Sequence, residues 1–328
     1  MQVVAITGAS GFIGQKLVTL LSTRGDMRIR VLIHRNRNCD VLNKPNVVAV
    51  EGDLMRAESL KKLLEPGCTV VNLVYLRSRS KEKNLGATDN LAGACARAKI
   101  KRFIHCSTAV VAGKAPGNVI DENTTCSPTS EYEITKLAAE KMLLDKYSSS
   151  FEVVVLRPTA VFGPGGKNLI KLANDLRQGN RILNYLKSCL FNYRKMNLVH
   201  IENVVSSIEF LVDTEKAMDQ EIFIVSDDDS PINNYRDIEK YLIKRFGYKD
   251  YLLPRISLPR IVLSTVLKLI GKSNVNPKRV YHDRKLMNAG FKKSVSFAEG
   301  LASFADWYMK QSLQSEPIHE SSKRQYFT

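Results

Sequence analysis

The chain has 328 residues, 44% of them hydrophobic and 25% charged, which is enough apolar material for one large domain or two modest ones. This composition excludes a chain that is disordered throughout, and no run of 18 apolar residues offers a candidate membrane span. The net charge is +16, and half of it lies between residues 251 and 300, a cluster suited to an anionic small ligand, an anionic membrane surface, nucleic acid or a solvated basic face.

Short apolar runs alternate with amphipathic stretches through the first half of the chain. The runs rich in Val, Ile and Leu predict strands at 3–7, 29–33, 47–53, 69–74, 102–107 and 151–158. Helices are predicted from residue 12, within 57–67, near 84–98 and near 130–147. Because such strands have no polar face, they are typical of a parallel sheet covered by helices on both sides. The sequence therefore predicts an α/β fold with a doubly wound parallel sheet.

This alternation breaks after Gly165. A helix is predicted near 167–178, followed by a loop, the segment VHIENVVSSIEFLV at 199–212, and a strand at 221–226. Beyond residue 230 the chain is predicted to be mostly helical. We therefore expect a sheet domain from 1–166 plus about 197–226, a smaller cap from about 167–196 and 227–312, and a polar tail at 313–328.

The segment TGASGFIG at 7–14 joins the first strand to the first helix. Gly8 permits a tight turn, Gly11 lets the backbone approach a pyrophosphate, and Gly14 lets the helix pack closely on the strand. The amino end of that helix also favours phosphate charge. Because the motif follows strand one and opens a helix, it predicts that the sheet domain is a Rossmann domain that binds a dinucleotide.

The second predicted strand ends without the acidic residue that would bind an adenosine ribose 2′-hydroxyl. Arg35 and Arg37 follow it instead, and their guanidinium groups suit a 2′-phosphate unless both are simply solvated loop residues. NADP(H) is therefore favoured as cofactor, and NAD(H) stays the alternative. Asp53, after the third strand, suits a contact to the adenine amino group.

Two Tyr-x-x-x-Lys spacings occur, Tyr132 with Lys136 and Tyr281 with Lys285, and on a helix each would place its two side chains on one face. Only the first pair follows, by 24 residues, a strand that ends in a hydroxyl residue, Thr108. That strand end and that helix would meet at the edge of the sheet beside the cofactor. We therefore assign catalysis to the first pair and interpret the second as two residues on a helix of the cap.

The chemistry of the first pair is of the right magnitude. A phenol has a pKa of about 10, so its use near neutrality requires a drop of about 3 units, or about 4 kcal/mol. One ammonium about 4 Å away supplies about 4 kcal/mol at an effective dielectric constant of 20. Lys136, aided by an oxidised nicotinamide ring, is expected to lower the pKa of Tyr132. Tyr132 would then exchange the proton and the cofactor the hydride, while Thr108 binds the substrate oxygen.

Eight segments, in order along the chain, resemble the extended short-chain dehydrogenases/reductases and, within them, the nucleotide-sugar epimerase/dehydratase group. They are TGASGFIG (7–14), GDL (52–54), NLV (72–74), NLGATDN (84–90), STAVVAG (107–113), YEITK (132–136), LRPTAVFGPG (156–165) and VHIENVV (199–205). The resemblance runs from residue 2 to about 310. It implies a Rossmann domain, a helical substrate-binding cap and a homodimer packed through the helix that bears Tyr132.

Together with the residues above, the resemblance implies a full set of site residues. Cofactor contacts are expected at Gly8, Ser10, Gly11, Phe12, Ile13, Gly14, His34, Arg35, Arg37, Asp53, Leu54, Leu73, Val74, Tyr132, Lys136, Pro158 and Val161. Substrate contacts are expected at Ser107, Thr108, Ala160, Lys195 and Arg279. No metal site is predicted, because the histidines share no metal-like spacing.

Departures from the group bear on the reaction. Its dehydratases carry Asp-Glu after the active-site threonine, whereas here Ala109 and Val110 follow it, so dehydration is disfavoured. Its 4-epimerases typically keep Asn at the position of Ala160 and Arg at that of Met196, and both serve the nucleotide diphosphate. Other basic residues would have to take over that charge role, the candidates being Lys195, Arg194, Arg177 and Arg279.

The sequence therefore favours an NADPH-dependent reductase of a nucleotide-linked 4-keto-6-deoxy (amino)sugar, of the kind used in surface polysaccharide synthesis, with Tyr132 as proton donor. The pattern LRPTAVFGPGG and the late helix SFAEGLASFADWY resemble such reductases. Two alternatives stay open. One is a nucleotide-sugar 4-epimerase that recycles its nicotinamide; the other, of a different class, is a non-catalytic dinucleotide-binding sensor or scaffold.

The remaining features concern location and partners. Six cysteines without a CxxC spacing favour reduced thiols, and the first residues, MQVVAITG, do not form a signal peptide, so a cytoplasmic location is expected. The segment 258–272 is amphipathic with basic ends, and either covers a core or lies weakly on an anionic membrane. Arg-rich loops without interleaved aromatic residues predict no nucleic-acid binding.

Overall fold

A seven-stranded parallel sheet forms the centre of the molecule. The computed structural model describes residues 1–34, 40–77, 79–256, 265 and 276–314. Its strands are β1 (Gln2–Thr7), β2 (Met27–Ile33), β3 (Val47–Glu51), β4 (Thr69–Asn72), β5 (Arg102–Cys106), β6 (Val119–Ile120), β7 (Glu152–Pro158), β8 (Ala160–Phe162), β9 (Leu198–His200), β10 (Glu221–Val225) and β11 (Val280–Tyr281). The central sheet has the order β10-β7-β5-β4-β1-β2-β3, with every neighbouring pair parallel. The predicted α/β fold with a doubly wound parallel sheet is confirmed.

Helices follow most of the strands. They are α1 (Phe12–Ser22), α2 (Lys81–Ala98), α3 (Glu131–Tyr147), α4 (Ile170–Gln178), α5 (Arg181–Phe191), α6 (Ile201–Asp213), α7 (Tyr235–Arg245), α8 (Arg284–Ala289) and α9 (Phe297–Gln314). The helices predicted near 84–98 and 130–147 correspond to α2 and α3. The predicted short helix within 57–67 is a 3-10 helix, Ala57–Leu63.

Each face of the sheet is covered by an apolar layer, as the strands rich in Val, Ile and Leu predict. On one face, α1 and α6 pack against the strands with side chains such as Leu17, Leu21 and Ile208, all fully buried. On the other face, α2 and α3 bury Leu91 and Leu143 against the same strands. Burying one such side chain contributes about 1.5–3 kcal/mol, so these two layers fix where the strand ends lie.

The later part of the chain has an apolar cluster of its own beyond the carboxyl end of β7. Two small parallel ladders lie here, β8 with β9 and β6 with β11. A cluster centred on Phe162, Ile238 and Phe304 joins β8, α7 and α9. The division into a Rossmann domain and a substrate-binding cap, with the boundaries given above, stays a prediction.

Two predictions about this part of the chain are wrong. The loop predicted after residue 178 contains α5, whose first turn is capped by the Asn180 side chain accepting from the backbone N–H groups of Ile182 and Leu183. Tyr281 and Lys285 do not share a helix, because Tyr281 pairs with Ile120 in the β6–β11 ladder and Lys285 lies in α8. The second Tyr-x-x-x-Lys spacing therefore has no helical geometry.

Some predictions fall outside the described residues. They are the cofactor contacts of Arg35 and Arg37, the amphipathic segment 258–272, and the polar tail from residue 315. Within the described part of the chain, no helix has both the length and the hydropathy required to cross a bilayer.

Candidate active site

The glycine-rich segment between β1 and α1 has the backbone geometry that its sequence predicts. Gly8 has φ +79°, a region that favours glycine, and the N–H of Gly11 donates to the carbonyl of Gly8 at 3.0 Å. A Cβ on Gly14 would lie 2.1 Å from the oxygen of Gly8, so α1 packs on the turn at a distance that only glycine permits. Gly11 is the N-cap of α1 and has no capping side chain, which leaves the first-turn N–H groups open to an anion. The segment therefore fits the pyrophosphate of a dinucleotide.

The other predicted cofactor contacts lie around this turn. A Cβ on Gly8 would come within 3.3 Å of Leu73 and Val74, so the end of β4 adjoins the glycine turn. The ring of Phe12 lies against Gly166, where a Cβ would be 2.7 Å from its Cζ. The remaining predicted contacts lie at or after the carboxyl ends of strands. Ser10 and Ile13 follow β1, Leu54 follows β3, Pro158 ends β7 and Val161 lies in β8.

His34 and Asp53 meet beyond the ends of β2 and β3. Nε2 of His34 lies 3.5 Å from Oδ2 of Asp53. The other oxygen of Asp53 accepts from the backbone N–H of Met55 at 2.9 Å, which fixes the carboxylate. The structure therefore brings together two residues predicted to bind the adenosine end of the cofactor.

Helix α3 carries Tyr132 and Lys136, and its start is fixed by a capping box. The Ser130 side chain accepts from the backbone N–H of Glu133 at 3.3 Å, and the Glu133 carboxylate accepts from the N–H of Ser130 at 3.2 Å. Tyr132 thus lies in the first turn, 38% exposed, and Lys136 lies one turn further in, 5% exposed. The capping box fixes where α3 starts and therefore places Tyr132 and Lys136 one turn apart on the same face of the helix.

Lys136 is anchored to the end of β5. Its Nζ donates to the carbonyl of Cys106 at 2.8 Å, and burial lowers the pKa of Lys136 below its ordinary value. Thr108 follows Cys106 by two residues and begins the 3-10 helix Ala109–Ala112. The backbone at the end of β5 therefore holds the lysine and presents the threonine hydroxyl within one short segment.

The phenol of Tyr132 does not have the lowered pKa that the sequence predicts. Burial raises the pKa of Tyr132 to about 12, and the Coulomb effect of Tyr75 adds to the rise. A hydrogen bond with the Thr108 side chain and the charge of Arg77 lower it by less. Burial thus dominates in the chain by itself, where the lysine ammonium donates to the carbonyl of Cys106. The expectation that Lys136, aided by an oxidised nicotinamide ring, lowers the pKa of Tyr132 stays a prediction.

Ser107 faces inward. Its hydroxyl donates to the carboxylate of Glu140, which forms a buried ion pair with Arg157 at 2.5 Å. Both partners of the ion pair are buried, with side-chain exposures of 1% for Glu140 and 6% for Arg157. The hydroxyl proton of Ser107 thus tethers the strand end to α3, and its predicted contact with substrate stays a prediction.

The three other predicted substrate contacts lie in different settings. Ala160 pairs with Leu198 in the β8–β9 ladder. Lys195 precedes β9, and its backbone N–H donates to the carbonyl of Pro277 at 2.8 Å.

Arg279 is 4% exposed and donates to the carbonyls of Gly113 and Ala115, each at 2.6 Å. Two of its nitrogens therefore hold the loop after the 3-10 helix, and a contact with a substrate phosphate stays a prediction. Arg194, named above as another candidate for that charge, has a buried Nε without a hydrogen-bond partner in the described part of the chain.

A buried polar chain that the sequence reasoning missed crosses three central strands. Oγ1 of Thr7 donates to Oδ1 of Asn72 at 2.7 Å, and Nδ2 of Asn72 lies 3.3 Å from Nδ1 of His105. Burial lowers the pKa of His105 well below its ordinary value, so the imidazole is neutral and Nδ1 can accept. This chain joins the strand before the glycine turn to the strand that presents Thr108. Its signal in the sequence is a polar residue at or near the carboxyl end of each of three neighbouring strands, Thr7, Asn72 and His105.

Comparison with known proteins adds a family and a set of similar structures. The family model described as NAD dependent epimerase/dehydratase family matches residues 4–226. UDP-glucose 4-epimerase of Vibrio cholerae is 30% identical to this chain over 242 residues, which span 68% of this chain and 70% of that protein.

Two solved structures show how far the fold is shared. The Bordetella bronchiseptica enzyme WbmG, solved in complex with NAD and UDP, has a TM-score of 0.73 at 19% identity and covers 98% of this chain and 99% of its own. DesIV, the dTDP-glucose 4,6-dehydratase of Streptomyces venezuelae, solved with NAD, has a TM-score of 0.68 at 21% identity and covers 97% of this chain and 99% of its own. At these identities the structural matches establish the fold.

Proposed function

Because the chain belongs to the NAD dependent epimerase/dehydratase family, we propose that it is an NAD(P)-dependent oxidoreductase that acts on a nucleotide-linked sugar. The observation that carries the proposal is that Thr108, just beyond the end of β5, lies beside Tyr132 at the edge of the sheet where Lys136 is anchored. The glycine turn adjoins the same edge through Leu73. A proton-transferring group and a dinucleotide cradle thus lie side by side.

Each residue of the site has a distinct role in this proposal. When bound, the nicotinamide supplies or accepts the hydride. Tyr132 exchanges the proton with the sugar oxygen, and Thr108 holds both the phenol and that oxygen. Lys136 provides the positive charge beside the ribose and the phenol. The first turn of α1 binds the pyrophosphate of the cofactor.

The direction that the site favours is reduction of a nucleotide-linked 4-keto-6-deoxy (amino)sugar. In this reaction Tyr132 is the proton donor to the ketone, a role for which a phenol is protonated at neutral pH whether or not its pKa is raised. Ala109 and Val110 follow Thr108 and offer no acid to expel a hydroxyl, which disfavours dehydration. NADP(H) as cofactor rests on the basic residues Arg35 and Arg37; the family's dependence on NAD favours NAD(H) as the alternative.

A second candidate function is 4-epimerisation of a nucleotide sugar with a recycled nicotinamide. It is favoured by the 30% identity to the Vibrio cholerae UDP-glucose 4-epimerase over two thirds of the chain. In that reaction Tyr132 first accepts the proton from the C4 hydroxyl and later returns it. A non-catalytic sensor or scaffold is the remaining alternative, and the presence of Thr108, Tyr132 and Lys136 together argues against it.

One experiment separates these three functions. The purified protein is incubated with nucleotide-linked 4-keto-6-deoxy sugars and NADPH or NADH, and the nicotinamide absorbance is followed. A reductase oxidises the cofactor in stoichiometric amount, whereas an epimerase interconverts UDP-sugars with no net change in cofactor. Binding of the dinucleotide without either reaction would overturn the enzymatic proposal.

We also propose a homodimer packed through α3, in a cytoplasmic protein. Ile134 on this helix is 38% exposed although its neighbours Glu133 and Thr135 are buried. An exposed isoleucine in the first turn of a helix that is otherwise packed on the sheet suits contact with a second copy. Light scattering should give twice the monomer mass, and Ile134→Glu should give the monomer; a monomeric wild-type protein would contradict the proposal.

Weak association with an anionic membrane is a further proposal about partners. On α5, Ile182, Leu183 and Leu186 are exposed by 70%, 56% and 54%, and Leu252 is fully exposed nearby, where Arg181 donates to the carbonyl of Asp250. The surrounding sequence is basic, with half of the net charge of +16 between residues 251 and 300, so its sign complements anionic headgroups.

Vesicle flotation tests this surface. The protein should float with vesicles that contain phosphatidylglycerol and stay behind with phosphatidylcholine alone, and Leu183→Glu with Leu186→Glu should abolish flotation. A surface covered by a second copy, or by another segment of the chain, would give no flotation with either lipid.

A further inference from the structure

One aromatic ring contacts both members of the Tyr132–Lys136 pair. The ring of Tyr75 packs edge to face against that of Tyr132, with centroids 4.8 Å apart and an interplanar angle of 88°. Nζ of Lys136 lies 5.5 Å from the centroid of the same Tyr75 ring, within the range of a cation–π contact. Tyr75 is half-buried in the loop between β4 and α2. The Tyr75 ring therefore contacts both the Tyr132 ring and the Lys136 ammonium.

The loop that carries Tyr75 is held in place on both sides. Before it, Oδ1 of Asn72 accepts from the N–H of Val74 at 3.3 Å. After it, Oδ1 of Asn84 accepts from the N–H of Leu76 at 2.8 Å, and Nδ2 of Asn84 donates to the carbonyl of Leu76 at 3.1 Å. Asn84 is itself buried in the first turns of α2. The position of the Tyr75 ring is thus set by two buried amides rather than by a free loop.

Burial opposes the charged form of Lys136, whereas the Coulomb effects of Cys106 and Glu140 favour it. Burial lowers the pKa of Lys136, and the carbonyl of Cys106 is the hydrogen-bond acceptor that the structure gives its Nζ. The negative face of an aromatic ring stabilises an ammonium without offering a proton acceptor, so it favours the charged form. Tyr75 supplies that face.

Tyr132 also depends on this ring. It lies in the first turn of its helix and is 38% exposed, so the helix alone does not fix its side chain. An edge-to-face contact on one side and the Thr108 hydroxyl on the other restrict the phenol to one orientation. Proton transfer requires that restriction, because the reacting atoms must lie within hydrogen-bond reach.

We propose that Tyr75 is a positioning residue of the active site, whose ring orients the Tyr132 phenol and keeps the Lys136 ammonium charged. The inference rests on the proposed function, since it concerns the same proton transfer. The ring, and not the hydroxyl, carries the effect. Tyr75→Phe retains the ring, whereas Tyr75→Leu retains apolar bulk and loses the ring, which makes the two substitutions a matched pair.

The first test is kinetic. Tyr75→Phe should keep kcat within about twofold of the wild type, while Tyr75→Leu should lower kcat at least about tenfold with KM and the dinucleotide Kd within about twofold. The alkaline limb of the kcat profile should move to lower pH in Tyr75→Leu alone, because Lys136 loses its proton earlier. Equal loss in both variants, an effect on KM alone, or an unmoved pH profile would overturn the proposal.

The second test does not require turnover, so it separates failure of this inference from failure of the proposed function. In protein labelled with ¹⁵N-lysine, the ammonium signal of Lys136 is identified by its absence in Lys136→Arg and followed with pH. The signal should titrate at lower pH in Tyr75→Leu than in the wild type and Tyr75→Phe. If the three titrate together, the ring does not support the charge, whatever reaction the protein catalyses.

Discussion

Arg157 and Glu140 form an ion pair that is buried on both sides, with Nη2 of the arginine 2.5 Å from Oε2 of the glutamate. Glu140 lies on α3 one turn beyond Lys136, and Arg157 lies near the end of β7. The same carboxylate accepts from the hydroxyl of Ser107. The pair therefore ties the helix that bears Tyr132 and Lys136 to the ends of β5 and β7 at one edge of the sheet.

Breaking this pair on one side should destabilise the protein strongly. Glu140→Gln leaves the Arg157 guanidinium buried without its counter-charge, which costs about 3–5 kcal/mol of unfolding free energy. Urea denaturation measures the loss. The control is Glu58→Gln at the exposed pair of Glu58 with Lys61, whose side chains are 78% and 64% exposed, where we expect a far smaller loss because solvent screens the two charges. Equal small losses of unfolding free energy at both pairs would show that the buried pair contributes no more to stability than the exposed one.

Gly14 and Gly86 provide a matched pair of glycine substitutions. A Cβ on Gly14 would lie 2.7 Å from Cα of Ala9 and closer still to the oxygen of Gly8, so Gly14→Ala must push α1 away from the turn. We expect a loss of about 3 kcal/mol or more and of dinucleotide binding, measured by denaturation and by fluorescence titration. Gly86 lies within α2 with no described atom within 4 Å of its Cβ position, so Gly86→Ala should stabilise by up to about 1 kcal/mol. Retained binding in Gly14→Ala would contradict the role of the close contact.

Tyr132→Phe should leave the dinucleotide Kd unchanged and abolish turnover, because it removes the proton that the phenol exchanges. We expect a loss of at least about 10²-fold in kcat, the scale of general acid–base catalysis. Tyr281→Phe is the control, since Tyr281 has the same spacing to a lysine but lies in β11. Turnover that survives in Tyr132→Phe would mean that another residue transfers the proton.

The stability of the protein should fall as the pH drops below about 6.5, in part because of His200. Burial lowers the pKa of His200 to about 4, whereas an unfolded histidine has a pKa of about 6.5. Between these values the unfolded state binds the extra proton, so the stabilisation is complete above pH 6.5 and is lost toward pH 4, by roughly 3 kcal/mol.

His200→Asn isolates this effect. Nδ1 of His200 accepts from the N–H of Glu202 as the N-cap of α6, and asparagine is a preferred residue at that position but does not titrate. Urea denaturation at pH 5 and pH 8 should show a smaller difference for the variant than for the wild type. Identical differences would assign the acid sensitivity to other groups.

The sequence anticipates elements whose cause is local. The glycine spacing at 8–14 predicts a turn that only glycine can form, and the structure shows it, with φ +79° at Gly8 and α1 in contact at Gly14. The helix predicted near 130–147 begins at Glu131, where the structure shows a capping box between Ser130 and Glu133. Apolar strands between helices predict the covered parallel sheet. In each case the pattern that predicts the element lies in residues close together in the sequence.

Helix α5 shows why a local pattern can mislead. Its apolar residues Ile182, Leu183 and Leu186 face outward, while Asn184 and Ser188 are buried. In an amphipathic helix the apolar side chains are buried and the polar ones exposed, and here the order is the reverse. The sequence pattern therefore predicts a loop at this segment. The signal that would have found it is Asn180, a favoured N-cap residue.

By itself, the sequence determined the sheet, the glycine turn and the family, because each depends on spacing within one or two adjacent elements. Its choice of Tyr132 with Lys136 as the catalytic pair stays a prediction. Only the tertiary structure decided where charged and aromatic groups meet across distant segments. Arg279 donates to carbonyls more than 160 residues earlier in the chain. Tyr75, in the loop between β4 and α2, contacts Tyr132 in α3. The pKa of Tyr132 is raised for the same reason, since burial by distant parts of the chain removes water that no local pattern records.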